Sequence, residues 1–135
     1  LSVTRLARLL RQQDESGLTP TMGAALATIG RVGPLTLGEL AALEQVAPPT
    51  VTKVIGKLEA AGLVDRLADE ADRRVCRVAL SADGRRQLEI NRSRRTAWLA
   101  DRLAALEPEE QDRLAAAIDA IEQLTAAPDP TRGRR

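Results

Sequence analysis

The chain has 135 residues and a net charge of +1, with 44% hydrophobic residues, one Trp, one Met, one Cys and no His, Phe or Tyr. That length suits one domain, and an apolar stock of Leu, Ala, Val and Ile favours helices. Without His the commonest general base and the His-built zinc sets are missing. A lone Cys76 can form neither an internal disulfide nor a Cys-x-x-Cys site, so composition points away from enzymes, metals and cofactors. A single thiol fits a reducing cytoplasm. The chain holds no signal-peptide pattern and no apolar run of about 18 residues that could span a membrane. It begins at Leu1 rather than Met, which leaves open whether residues precede it.

In chain order, Val3–Arg11 places Val3, Leu6, Leu9 and Leu10 at helical spacing, and 14–17 breaks that helix. Thr19 and Pro20 form a helix start, as N-cap and first helical residue. Met22, Leu26 and Ile29 continue one face until 30–34 ends it. Thr36-Leu37-Gly38-Glu39 has the form of a capping box, opening a short helix to about Glu44. A turn at 45–47 leads into Pro48-Pro49, which can open a second helix because early helical positions need no N–H donor. That helix runs to about Ala61, with Gly62 as C-cap.

Leu63–Leu67 and Val75–Leu80 are expected to be short strands, joined by the charged loop 68–74 into a hairpin. Ser81 caps a long helix through Gln87, Trp98 and Leu106. Glu107-Pro108-Glu109-Glu110 starts a final helix, whose stripe is Leu114, Ile118, Ile121 and Leu124. Charge is segregated: 85–95 holds five Arg against one Glu, and 107–122 holds six acids against Arg113. The arginines at 85–95 are expected to be solvated or inter-subunit rather than DNA-facing.

Short helix, turn, helix and charged hairpin together describe a winged helix-turn-helix, with Thr36–Leu80 as its DNA-reading unit. The expected architecture is mainly α with a small β-hairpin wing, a winged helix-turn-helix flanked by N- and C-terminal dimerisation helices. Residues 18–80 would form the lobe, 1–16 and 81–127 the helical dimerisation region, and 128–135 a disordered tail, all in one domain over 1–135. Few aromatics in a chain this small suggest that some apolar helix surface needs a partner chain.

At about 100° per residue, Val51, Val54, Ile55 and Leu58 share one face of the second helix, a core face. Opposite lie Pro49, Lys53, Gly56 and Ala60, flanked by Thr52 and Lys57, with Thr50 at the margin. Small residues let a helix backbone approach the major-groove floor; Thr and Lys can bond phosphates or base edges. Both lysines of the chain, Lys53 and Lys57, sit here. On an isolated helix such a face could simply be solvated. The neighbouring capping box, turn and hairpin favour DNA. Thr36, at the start of the first helix of the unit, is counted with the DNA-facing set. At the hairpin tip, Arg73 or Arg74 could enter a narrow minor groove. Asp72 reads as a brace, bridged across the hairpin to Arg66. Alternation puts Cys76 with Val78 and Leu80, as a buried structural thiol, and Trp98 reads as core or dimer packing.

These residues resemble the MarR family (multiple-antibiotic-resistance regulators) over nearly the whole chain. The likeness is carried by Thr50-Val51-Thr52-Lys53, by Leu58-Glu59-Ala60-Ala61-Gly62-Leu63-Val64-Asp65-Arg66, by Asp69-Glu70-Ala71-Asp72-Arg73-Arg74, and by Leu80-Ser81-Ala82-Asp83-Gly84. Glu70 stands where the family often has Pro, and Ser81 where it has Thr. The resemblance implies a bacterial, cytoplasmic repressor acting as a homodimer on a pseudo-palindromic DNA operator. It places Pro49, Thr50, Thr52 and Lys53 in the major groove, with Arg74 as wing arginine and Asp72 as its brace. It also implies release by a small lipophilic or phenolic effector bound between the dimer layer and the DNA-binding lobe. The composition offers such a ligand few aromatic walls. A winged-helix module that binds protein rather than specific DNA is the alternative, suggested by the near-zero net charge.

Overall fold

The computed structural model describes residues 1–126. Its elements are α1 (Ser2–Arg11), α2 (Pro20–Val32), β1 (Leu35–Thr36), α3 (Leu37–Glu44), α4 (Pro48–Ala60), β2 (Val64–Ala68), β3 (Cys76–Leu80), α5 (Ala82–Ala104) and α6 (Pro108–Thr125). Leu1–Trp98 forms one compact unit and the residues from Leu99 onward a second. The tail expected at 128–135 lies outside the described residues.

Helix starts follow the capping residues. Thr19 Oγ1 accepts the Met22 N–H at 3.3 Å, with Pro20 at the first helical position. The capping box of α3 closes in both directions: Glu39 N–H donates to Thr36 Oγ1 at 3.1 Å, and Thr36 N–H to Glu39 Oε2 at 2.7 Å. α3 ends at Gln45, which takes the left-handed conformation (φ 54°) that turns the chain toward α4. Gly62 takes φ +72° after α4, and Leu63 N–H reaches back to Leu58 O at 2.9 Å, closing a Schellman-type stop.

The sheet is antiparallel with order β1-β3-β2. The hairpin pairs Val64 with Leu80 at its base and Ala68 with Cys76 at its far end. A third strand not expected from sequence, β1, pairs Leu35 with Val78 and Thr36 with Arg77. Two residues, the second of them the N-cap of α3, show no strand periodicity, so the sequence predicts only two strands.

Core residues belong to the first unit. Leu26, Ile29, Leu35, Leu40, Ile55, Leu58 and Val78 are fully buried. They lie on α2, β1, α3, α4 and β3, so the recognition unit and the wing base share one core. α5 buries only Gly84 and Asn91, while α1 and α6 bury no residue. No described helix is long and apolar enough to cross a membrane.

Candidate DNA interface

α4 divides as its periodicity dictates. Val51, Val54, Ile55 and Leu58 are buried, and Pro49, Thr50, Thr52, Lys53, Gly56 and Lys57 are all exposed. Thr52 Oγ1 donates to Pro48 O at 3.1 Å, which leaves the oxygen free to accept and a methyl to make apolar contact. A Cβ added at Gly56 would meet nothing within 4 Å, so the fold itself does not require glycine there. An open helix position normally favours Ala over Gly by about 1 kcal/mol. Thr36 is half-buried and its hydroxyl is engaged in the α3 cap.

The wing loop is built on two carboxylates. Asp69 Oδ2 accepts the N–H groups of Ala71 and Asp72, each at 3.1 Å. Asp72 holds Arg74 by three bonds: backbone N–H at 3.0 Å, Nε and Nη2 at 3.1 Å each. Asp72 thus braces Arg74, whose side chain remains 90% exposed. Arg73 is exposed, and among the described residues neither it nor Lys53 nor Lys57 forms an ion pair.

Two expectations are corrected here. Arg66 does not bridge to Asp72; its Nε donates to Glu59 Oε1 at 2.7 Å, tying the wing strand to the end of α4. Arg66 sits opposite Val78 in the middle of the hairpin, below the loop. Asp72 at the tip has a nearer partner in Arg74. The Glu59 hydrogen bond, and after it Cys76, raise the Arg66 pKa. Cys76 is not buried but exposed. Its face of β3 continues Val78 and Leu80, yet Cys76 pairs with Ala68 at the last rung, where the hairpin has left the core.

Sequence reasoning did not assign Arg77. Its Nε donates to Asp69 Oδ1 and its Nη1 to Glu39 Oε2, the latter at 3.1 Å. The guanidinium therefore joins the wing loop to the capping box of α3. Arg77 stands out in the sequence but is ambiguous there, because its level in the sheet is set by the unforeseen β1.

The carboxylates respond to these bonds. Asp69 is held below its ordinary pKa of 3.8, first by Arg77 and then by the Asp72 N–H. Asp72 is lowered from 3.8 by Arg74, and Glu39 from 4.5 by the Thr36 N–H, with Arg77 adding to it. Depressed folded-state values contribute stability that is present above the unfolded pKa and lost as pH falls through the folded one. Wing order, read as amide shifts of 69–75, should therefore hold from neutral pH down through about pH 4 and be lost only as pH falls further. Asp69→Asn should flatten that response. An unchanged acid profile in that variant would contradict the assignment.

The arginines of 85–95 are largely engaged within the first unit. Arg86 pairs with Asp83, Arg94 with Glu15 at 3.0 Å, and Arg85 and Arg95 donate to backbone carbonyls. Beside them lies a cavity of about 270 Å³ lined by Leu18, Ala24, Leu26 and Leu88, with Arg11, Arg95, Asp14 and Asn91 on its polar side. Buried Asn91 is fixed by Gln87 (2.8 Å) and Asp14 (3.0 Å). No aromatic ring lines this cavity. Trp98 is half-buried.

A two-helix unit whose second helix opens small and cationic residues outward, followed by an antiparallel wing tipped with arginines, is a winged helix-turn-helix. The MarR family model matches residues 18–76, from the start of α2 into β3. An HTH-type transcriptional regulator of Mycobacterium bovis is 39% identical over 120 residues, covering 88% of this chain and 84% of the relative. The HTH-type transcriptional repressor MdtR of Bacillus subtilis is 31% identical, covering 76% of this chain and 66% of that protein. Among solved structures, a transcriptional regulator from Pseudomonas aeruginosa superposes with a TM-score of 0.83 at 34% identity, covering 94% and 90% of the two chains. The chain belongs to the MarR family of winged helix-turn-helix transcriptional regulators, a family of DNA-binding proteins rather than enzymes.

Proposed function

We propose that this protein represses transcription by binding a pseudo-palindromic DNA operator as a homodimer. One observation carries the reading. The open face of α4 gathers exposed Pro49, Thr50, Thr52, Lys53, Gly56 and Lys57, with both lysines free of ion pairs among the described residues. In the complex, α4 lies in the major groove with Lys53 reading a base or phosphate, Thr52 accepting or touching a thymine methyl, and Gly56 giving clearance. Thr36 stands at the start of α3 near the backbone. Arg74, or alternatively Arg73, enters the flanking minor groove. As a regulator of transcription, the protein would act in the cytoplasm.

The dimer is supported by α1 and α6, which carry apolar residues and bury none, Leu6, Ile118 and Ile121 among the exposed ones. Repression follows the likeness to MdtR. The cavity beside Asn91 is the place for an effector that releases DNA. Its aliphatic walls, with two guanidiniums set against the Asp14 carboxylate, suit a small lipophilic or phenolic ligand with a polar end.

Wild-type protein should bind a palindromic duplex selected from a random pool, with affinity falling steeply as salt rises. Lys53→Ala should weaken that binding by about 1–3 kcal/mol if Lys53 reads a base. A gel-shift or anisotropy titration checks it. Equal wild-type affinity for the selected duplex and random DNA would remove the specific-regulator reading and leave the interaction module.

A further inference from the structure

The far half of the wing has no core beneath it. Along β2 only Val64 is buried, and Leu67 is 46% exposed. A two-stranded ribbon without packing twists and bends easily. The β1–β3 ladder that anchors it ends at the Thr36–Arg77 pair. Arg66, one rung below, holds the strand to Glu59; beyond that rung, among the described residues, the Arg77 side chain ties the wing loop to the helix-turn-helix. It bonds Asp69 on one side and Glu39 of the α3 cap on the other. Asp69 in turn accepts the Asp72 N–H, and Asp72 grips Arg74. A continuous polar chain therefore runs from the N-terminus of α3 to the wing arginine.

Resting on the DNA reading above, we propose that Arg77 is a positioning residue. It sets the angle between wing and helix-turn-helix, so that the wing arginine meets the minor groove while α4 occupies the major groove. Its partners are partly exposed, at 53% for Glu39 and 18% for Asp69. Such pairs contribute little to folding, so the effect belongs to DNA recognition more than to stability.

The test uses full-length protein and the duplex that wild type selects from a random pool. Base pairs at the flanks, where the wings lie, and at the centre of each half-site are changed in turn. Wild type should lose about tenfold in affinity per wrong pair at both places. Arg77→Ala should lose about tenfold on the intact operator and become indifferent to the flanks, yet keep its discrimination at the centre. Combining it with Arg73→Ala and Arg74→Ala should add little to the loss those two cause together, and Arg77→Lys should restore part of it. Glu39→Gln keeps the α3 cap, since Gln also serves in a capping box, and weakens only the Arg77 arm. It should show the same pattern in milder form, and it carries the test should Arg77→Ala fail to fold. Retained flank discrimination in both variants, with affinity within about twofold of wild type, would overturn the proposal, as would equal losses at flank and centre that track a drop in melting temperature. Wild type failing to distinguish its selected duplex from random DNA would overturn the DNA reading and this inference with it. Flank discrimination lost in the variants alone supports both.

Discussion

If α6 forms the proposed dimer interface, replacing Ile118 and Ile121 together by Glu should convert that dimer into a monomer and lower affinity for the proposed operator by about 10²–10⁴-fold. Both residues lie on α6, 51% and 40% exposed, in line with Leu114 and Leu124. Burying that stripe against a second chain gains about 25 cal/mol per Å² of apolar surface removed from water. A carboxylate buried in its place without a partner is costly, so the interface should open. Glu is a good helix former and α6 buries no residue in the single chain, so α6 itself should survive. The loss in affinity comes from multivalency. Once one half-site is engaged, the second lobe binds as an intramolecular event, worth about 10²–10⁴ in avidity without any new contact. Sedimentation at micromolar concentration gives the mass, and circular dichroism the helix content. Asp112→Ala, on the opposite side of α6, should leave both mass and affinity alone. A doubled mass persisting in the Glu variant, or a single-chain mass in wild type, would contradict the α6 interface.

How far the sequence could be read depended on whether a feature was local. Helix starts were legible because their determinants are adjacent: Thr19 with Pro20, Thr36 with Glu39, Ser81 with Gly84. The inward face of α4 was legible because helical period fixes it, and all four of its expected core residues are buried. Interactions set by sheet register were not. β1 is a strand only because it meets β3 at Val78 and Arg77. Arg77 could not be assigned before that pairing was known. Arg66 was paired with Asp72 on the chemistry of opposite charges alone, whereas the fold brings Glu59 to it. Strand alternation gave the side of the sheet on which Cys76 lies but not whether anything covers it. Of the candidate DNA-facing set, sequence could place Pro49, Thr50, Thr52, Lys53, Gly56 and Lys57 on an open face. The aim of Arg74 depends on the turn around Asp72, which the structure supplies.

Gly84→Ala should be the most damaging small substitution in the DNA-binding unit, destabilising it by about 3 kcal/mol. A Cβ at this position would stand 2.0 Å from Leu63 O and 3.0 Å from its carbonyl carbon, an obstacle made of backbone that no rotamer change removes. The same corner carries the join between α5 and the end of the recognition helix. Ser81 N–H donates to Leu63 O at 3.1 Å, Ser81 Oγ donates to Gly62 O at 2.6 Å and accepts the Gly84 N–H at 2.9 Å. Moving α5 aside to admit a methyl group therefore breaks the Ser81 bonds to Leu63 O and Gly62 O as well as the packing. Ser81→Ala removes the cap and the bond to Gly62 O but leaves the packing, and should cost about 1–2 kcal/mol. Gly23→Ala, in α2, is the matched control, because a Cβ there meets nothing within 4 Å. That change should be neutral or stabilising by up to about 1 kcal/mol. Urea unfolding of the three variants ranks them directly, with Gly84→Ala lowest, Ser81→Ala between and Gly23→Ala at or above wild type. Gly84→Ala as stable as Gly23→Ala would mean that α5 does not rest on the Leu63 carbonyl. The corner that holds the recognition helix to the long helix would then have to lie elsewhere.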